Sequence, residues 1–139
     1  MKNTLIIIFA IFVLMQAIQV EYSNPQTDAN LEMKMPENIH QIFKKSCYDC
    51  HSNEVILPWY SNIAPVSWMV SKHIDNGRQT LNFSIWETYT PEEKEKKLKE
   101  VFRTVYAAMP LPAYMWMHEE AQLSKEERAT VREWIGYSK

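Results

Sequence analysis

The sequence predicts an all-α protein, and three observations support this fold class. The chain has 139 residues but only two glycines, and it contains long stretches rich in Glu and Lys that favour helix. Apolar residues recur at helical spacing in four segments, whereas no segment shows the sustained apolar–polar alternation of a half-buried strand. Pairs of residues that can cap a helix precede two of these segments. We therefore expect four helices in the folded part of the chain.

The first predicted helix contains the only two cysteines, and the second predicted helix follows it closely. The first runs from about Glu37 to Cys50. The second begins at Pro65, because proline suits the first turn of a helix, and ends at Gly77. Each carries an apolar stripe that predicts packing against the interior. The stripes are Ile39, Ile42, Phe43, Cys47 and Cys50 in the first helix, and Val66, Met69, Val70, His73 and Ile74 in the second.

The third and fourth predicted helices both begin with a capping box. Thr90 precedes Pro91 and is followed three residues later by Glu93, and this helix ends before Pro110. In the fourth helix Ser124 is the cap, with Glu127 three residues later, and Gly136 ends the helix. Their apolar stripes are Leu98, Val101, Phe102, Val105 and Tyr106 in the third helix, and Val131, Trp134 and Ile135 in the fourth.

The N-terminal residues are typical of a targeting segment. Residues 5–15 are uninterrupted apolar sequence, and Lys2 is the only charged residue before Glu21. The apolar stretch to Val20 has about 16 residues, close to the ~17–25 of a membrane-spanning helix, and no convincing cleavage site is present. We expect residues 1–20 to be a signal-anchor or signal peptide, with the uncleaved anchor favoured, and residues 21–35 to be a linker. The folded domain, residues 36–139, would then lie on the periplasmic side of the cytoplasmic membrane, anchored or exported.

Composition and motifs exclude several classes of function. The net charge is −2, and no basic cluster interleaved with aromatic residues is present, so we expect no nucleic-acid partner. No nucleophile–base arrangement and no pair of carboxylates points to hydrolysis. We therefore expect that the chain is not an enzyme.

The pentapeptide Cys47-Tyr48-Asp49-Cys50-His51 admits four interpretations: a covalent haem, a zinc site, a redox dithiol or a structural disulfide. A zinc site needs four ligands, usually from two separated pairs, and no second Cys/His pair exists. A redox dithiol needs its first cysteine at a helix N-terminus, whereas this pair falls near the end of a predicted helix. A disulfide across two residues closes too small a loop to add much stability, and it leaves the histidine unexplained.

Covalent haem accounts for all three side chains of the motif. Cys47 and Cys50 lie one helical turn apart, where both can form thioethers with the vinyl groups of a porphyrin. His51 follows directly and can direct a ring nitrogen at the iron as the proximal ligand. The C-x-x-C-H spacing is the attachment signal for c-type haem, and an export segment agrees with attachment outside the cytoplasmic membrane. The sequence thus predicts one covalently attached haem c.

Several stretches resemble the small bacterial haem-binding domain family related to class I cytochromes c. They are CYDCHSN, PWYSNIAPVSWMV, HIDNGRQTLNFSIW and MPLPAYMWMH, together with the closing Trp134. The resemblance as a whole covers roughly residues 36–136. The resemblance implies a small cytochrome c-like helical domain around a covalent haem. The scarcity of glycine and a longer middle segment depart from ordinary class I cytochromes.

Met109 is the expected distal iron ligand. It follows a predicted helix and precedes a proline, and the resemblance maps the distal methionine of class I cytochromes onto it. Thioether ligation would raise the potential relative to ligation by two histidines. His73 and His118 are the alternative ligands, and Met115 and Met117 lie close enough in sequence to compete.

The resemblance and the aromatic content also suggest how the pocket is lined. By analogy with class I cytochromes, a carbonyl of Pro58 or Pro65 would accept a hydrogen bond from the His51 ring and fix its orientation. Five aromatic residues are candidate pocket walls, namely Trp59, Tyr60, Trp68, Phe83 and Trp86.

The expected function is single-electron transfer by a monohaem c-type cytochrome domain outside the cytoplasmic membrane. Its partners would be redox proteins, and the membrane would be contacted through the N-terminal helix. A haem-based sensor or ligand-binding module is the alternative, and a zinc-stabilised interaction module is a weaker one.

Overall fold

The structure is a computed structural model that describes residues 1–137, and within them the chain is all-helical with no β-strand. The all-α prediction is therefore confirmed. Four 3-10 turns connect the helices, at Ala29–Leu31, Trp59–Asn62, Phe83–Thr88 and Glu119–Ala121. The α-helices are α1 (Lys2–Met15), α2 (Glu37–Ser46), α3 (Tyr48–His51), α4 (Val66–Thr80), α5 (Pro91–Ala107), α6 (Pro112–Met115) and α7 (Lys125–Tyr137).

Both predicted capping boxes are present. The Thr90 hydroxyl accepts from the backbone N–H of Glu93, whose carboxylate accepts from the N–H of Thr90 at 2.8 Å. Ser124 and Glu127 exchange the same two hydrogen bonds, at 3.1 and 2.8 Å. Each box satisfies N–H groups that a helix start leaves without intrahelical partners, which explains why α5 and α7 begin where the sequence predicts.

Three predicted helix boundaries differ from the structure. The first predicted helix is two helices, because Cys47 leaves the helical region with φ −129° and separates α2 from α3. α4 continues beyond Gly77 to Thr80, and α7 continues through Gly136 to Tyr137. Neither Gly77 nor Gly136 ends its helix. Neither residue has a positive φ, so each is accommodated within the helical backbone.

The core lies between α2, α3, α5, α7 and the 3-10 turn at Phe83–Thr88. Phe43 packs against Phe83 with ring centroids 5.0 Å apart and against Trp134 at 5.9 Å, and Tyr48 stacks on Phe83 at 5.4 Å. The predicted stripes of α2, α5 and α7 contribute to this core. The α4 stripe does not join it: Met69 is 54% exposed, and the stripe faces a cavity instead.

α1 is shorter than the predicted anchor. It ends at Met15, not near Val20, and its apolar side chains are exposed on all sides. No helix in residues 1–137 is both long and apolar enough to cross a membrane.

Residues 16–24, which we call the strap, lie along the body of the protein. The Gln16 side chain both donates to the Ala64 carbonyl (3.1 Å) and accepts from its N–H (3.0 Å). The Tyr22 hydroxyl lies 2.8 Å from the carbonyl of Ser61 and 2.7 Å from that of Ser67. These contacts join the chain before α2 to the start of α4.

Further contacts extend this packing through the predicted linker. The Asn24 side chain exchanges two hydrogen bonds with the backbone of Val55. Arg78 donates to the Asn24 side chain at 2.9 Å. The Met33 N–H donates to the Phe83 carbonyl at 2.9 Å, and Met33 is buried in the core. Much of the segment expected as a linker is thus held against the domain.

Candidate cofactor site

The short helix α3 places the motif residues on one wall of a cavity. The N–H groups of Cys50 and His51 both donate to the Cys47 carbonyl, at 3.2 and 2.9 Å. This single turn directs Cys47, Cys50 and His51 into the same space. The three residues that the sequence predicts to attach a cofactor therefore line the same cavity.

The cavity has a volume of about 680 Å³, within the ~300–1,000 Å³ usual for cofactor sites. Its walls come from α3, α4, the segment 55–60 and the segment 109–117. The α4 stripe provides the longest apolar wall, and Ile56 and Trp59 are exposed beside it. A large, flat, apolar molecule would bury these side chains.

Close backbone packing holds α4 against α3. A Cβ atom on Gly77 would lie 2.3 Å from the Cys50 carbonyl oxygen and 2.9 Å from its carbon, so only glycine permits this approach. The sequence marked Gly77 as a helix end. In the structure it is the contact that brings the α4 wall to the motif.

The His51 ring is oriented by a hydrogen bond from its Nδ1 to the Leu81 carbonyl at 3.0 Å. The expected carbonyls of Pro58 and Pro65 are not its partners, because Leu81 follows α4 directly and is brought beside His51 by the α3–α4 contact. With Nδ1 donating, Nε2 keeps the lone pair that a metal needs. Burial lowers the pKa of His51, which favours this neutral ring.

The two cysteines are free thiols. Burial raises the pKa of Cys47 to about 12 and that of Cys50 to about 11. Redox-active dithiols have lowered pKa values, so this environment disfavours that interpretation. In this buried environment the cysteine side chains stay protonated as thiols until they react.

The cavity wall narrows the choice of distal ligand. Met109 and His73 both line it, and so does Met117. Met115 and His118 do not. His118 instead lies 2.7 Å from the Tyr60 hydroxyl through Nε2 and 3.1 Å from Glu120 through Nδ1, which occupies both ring nitrogens. Ligation by Met109 stays a prediction, with His73 as its competitor.

Two of the five predicted aromatic walls face the cavity. Trp59 and Tyr60 line it. Phe83 and Trp86 are buried in the core, and Trp68 donates from its indole N–H to the Ile18 carbonyl of the strap at 3.1 Å. The prediction was wrong for these three, because aromatic content alone does not separate a core position from a pocket wall.

The chain matches the haem-binding domain family over residues 10–137, nearly its full length. It belongs to this family. Comparison with curated proteins and comparison with solved structures gave no match. The family assignment supports haem binding by this chain.

The residues of this haem-binding domain fit the cofactor. An imidazole with a free Nε2 and a predominantly apolar wall suit a bound haem, and two neutral thiols on the same wall could attach it covalently. By contrast, residues 1–137 contain no group of three or more His, Cys, Asp or Glu side chains that could hold a metal ion directly. The donor set therefore does not support the zinc-stabilised module.

Sequence reasoning missed Asp49 and Tyr114 as residues of the site. The Tyr114 hydroxyl donates to Oδ2 of Asp49 at 2.6 Å, and both residues line the cavity of this haem-binding domain. Burial, and then the hydrogen bond to Asp49, raise the pKa of Tyr114, so the phenol keeps its proton. Asp49 lies inside the motif and could have been considered. No sequence signal pairs it with a tyrosine 65 residues later.

Proposed function

We propose that this haem-binding domain is a monohaem c-type cytochrome domain that transfers single electrons. The observation that carries the proposal is the convergence of Cys47, Cys50 and the oriented His51 on one apolar cavity. Non-covalent haem binding would require the histidine but not two thiols on the same wall. The pair of thiols therefore favours haem c.

Each residue of the motif has a separate task in this proposal. The thiols of Cys47 and Cys50 would hold the haem through thioethers, each S–H adding across one vinyl group so that its hydrogen goes to the vinyl carbon. His51 presents Nε2 to the iron while Leu81 holds the ring by Nδ1. The haem supplies a one-electron couple between ferric and ferrous iron, and the apolar wall keeps water from that centre.

Met109 is the proposed second axial ligand. It lines the cavity, and its carbonyl accepts from Nη1 of Arg128 at 3.1 Å, which fixes the backbone at this position. A thioether opposite an imidazole favours the reduced iron. This ligand set is suited to an electron carrier that rests with both axial positions filled.

The proposed covalent attachment of haem is also the reason why we propose that the protein is exported. Covalent attachment of c-type haem takes place outside the cytoplasmic membrane, and residues 1–20 have the charge and apolar pattern of an export signal. Redox proteins at that side of the membrane would be the electron donors and acceptors. N-terminal sequencing of the exported protein tests this: a start near residue 17 indicates a removed signal, and a start at Met1 indicates a retained segment.

Expression with periplasmic haem maturation and a pyridine haemochrome spectrum test the function. The wild-type protein should retain haem through acid-acetone extraction, and the Cys47→Ser/Cys50→Ser protein should lose it. Met117→Leu is the matched control, since it changes a cavity residue outside the motif. Haem that extracts freely from the wild type would contradict covalent attachment. Ready binding of carbon monoxide by the ferrous wild type would instead favour the sensor or ligand-binding function.

A further inference from the structure

Residues 109–118, which we call the methionine segment, form one wall of the cavity and contact the opposite side at two points. The first contact is the 2.6 Å hydrogen bond from Tyr114 to Asp49. Asp49 lies between the two cysteines of the motif, so this bond joins the middle of the segment directly to the attachment helix α3. It spans 65 residues of sequence.

The second contact joins the end of the segment to the 3-10 turn at Trp59–Asn62. Nδ1 of His118 faces the Glu120 carboxylate at 3.1 Å, so Nδ1 carries the hydrogen. Nε2 is then the acceptor, and the Tyr60 hydroxyl donates to it at 2.7 Å. The Tyr114 ring stacks on His118 with centroids 4.3 Å apart and planes 14° apart, so the two contacts adjoin.

No side chain of residues 111–118 is fully buried. The beginning of the methionine segment is fixed by buried Pro110 and by the bond from Arg128 to the Met109 carbonyl. Beyond that point α6 is a single turn, Trp116 is 84% exposed and Met117 is 54% exposed. The position of this part of the segment therefore depends strongly on hydrogen bonds, and hydrogen bonds to charged groups such as the Asp49 carboxylate are the stronger kind.

We propose that Tyr114 and Tyr60 are positioning residues that hold the methionine segment closed over the cavity. They act through the backbone of the segment and do not themselves ligate the cofactor. Closure keeps the distal half of the segment, with Met117, over the bound group and restricts the entry of small external ligands. The measurement of carbon monoxide affinity rests on the function proposed above, because it requires a haem-loaded protein.

Tyr114→Phe tests the proposal in the haem-loaded protein. The variant keeps the ring and its stacking but removes the donor to Asp49. We expect the affinity of the ferrous protein for carbon monoxide to rise about tenfold, because the loss of one charged hydrogen bond shifts the open–closed equilibrium by that order. The haem should remain covalently attached, since the thiols and His51 are unchanged. Tyr60→Phe should act in the same direction.

Tyr106→Phe is the matched control. Tyr106 is half exposed on α5, outside the cavity wall, and its ring lies over Arg132. Its hydroxyl can be removed without change to either contact of the segment. Carbon monoxide affinity should stay at the wild-type value in this variant. Equal affinities in Tyr114→Phe and Tyr106→Phe would overturn the proposal.

Hydrogen–deuterium exchange of the haem-free full chain provides a second measurement that does not depend on the cofactor. The N–H groups of Tyr114, Met115, Trp116 and Met117 donate to carbonyls within the segment, so they are protected while it is closed. Tyr114→Phe should accelerate their exchange about tenfold and leave α5 unchanged. Unchanged exchange refutes the closure, whereas accelerated exchange in a protein that takes up no haem refutes only the proposed function.

Discussion

Met109 and His73 line the same cavity, so each can be substituted alone to test which side chain ligates the iron. Met109→Ala should abolish the weak sulfur-to-iron charge-transfer band near the red edge of the visible spectrum. Met109→His should lower the potential, because imidazole favours ferric iron more than a thioether does. An absorption spectrum and a redox titration measure both effects.

His73→Ala and Met115→Leu are the controls for this assignment. His73 lies on α4, and Met115 does not line the cavity. Both variants should keep the charge-transfer band. A Met109→Ala protein with an unchanged spectrum would assign the ligand to another residue.

The two motif thiols should react slowly in the folded, haem-free chain. The pKa of Cys50 is raised by burial from 9.0 to about 11, so at pH 8 its thiolate fraction falls about a hundredfold. Because the raised pKa belongs to the folded state, alkylation by iodoacetamide should accelerate as the pH rises towards 11. It should accelerate at pH 8 when urea unfolds the chain. Equal rates with and without urea at pH 8 would contradict the burial of these thiols.

The sequence predicted that Cys47, Cys50 and His51 lie together, but it did not predict the contacts that support them. Cys47, Cys50 and His51 follow from local spacing, since one helical turn brings them together. The partner of His51 does not, because the Leu81 carbonyl becomes its neighbour only through the packing of α4 on α3. Contacts between distant segments leave no pattern in a single sequence.

At the scale of elements, the α3–α4 contact depends on one glycine. Gly77→Ala should destabilise the protein by about 1–3 kcal/mol, because the added Cβ would overlap the rigid backbone carbonyl of Cys50. It should also weaken haem attachment, since the clash displaces the wall beside the motif. Urea unfolding and the haem content of the purified protein measure these effects.

Gly136→Ala is the control for that experiment. Gly136 lies within α7, and a Cβ added there meets no atom within 4 Å. Alanine has the higher helix propensity, so stability should change by less than about 1 kcal/mol, in the stabilising direction. If both glycine variants behaved alike, the close approach of α4 to Cys50 would be refuted.

The strap provides a second test at this scale. Burial raises the pKa of Tyr22, in agreement with its hydroxyl lying between the Ser61 and Ser67 carbonyls. Tyr22→Phe should lower the free energy of unfolding by about 1 kcal/mol, the usual contribution of one hydrogen bond. Thermal unfolding beside the Tyr106→Phe variant measures the difference. Identical midpoints for the two variants would show that the strap does not stabilise the body.

Helix starts were predictable and helix ends were less so. Thr90 and Ser124 begin their helices through side-chain contacts within four residues, which a sequence displays directly. The sequence did not predict that α2 ends at Ser46, because the break arises from the non-helical backbone conformation of Cys47 in the folded protein. The α4 stripe was correctly identified as apolar, but the sequence could not show that it lines a cavity and does not join the core.

At the scale of the whole molecule, a cofactor bound in the cavity would add to the stability of the protein. Ile56, Trp59 and Met69 are 79%, 73% and 54% exposed beside or within the cavity wall. A bound haem would cover part of this surface and add the free energy of apolar burial. The haem-loaded protein should therefore unfold at least about 5 °C above the haem-free chain in calorimetry, since about 1 kcal/mol shifts the midpoint of a small domain by that order.

The Cys47→Ser/Cys50→Ser protein isolates this effect, because it keeps the chain nearly unchanged while it removes covalent attachment. It should match the haem-free wild type in midpoint and should bind more of a dye that reports exposed apolar surface. A haem-loaded wild type that unfolded at the temperature of the double variant would show that the cofactor does not complete the fold.

The strap also bears on the order in which the protein is assembled. A chain that leaves a translocation channel N-terminus first delivers Cys47 and Cys50 before residues 61–68, on which the strap closes, and long before the methionine segment. Until α4 and the methionine segment emerge, the walls that enclose Cys47 and Cys50 are absent. In an exported chain the cysteines would therefore be most accessible before folding, and completed folding would leave them only partly accessible.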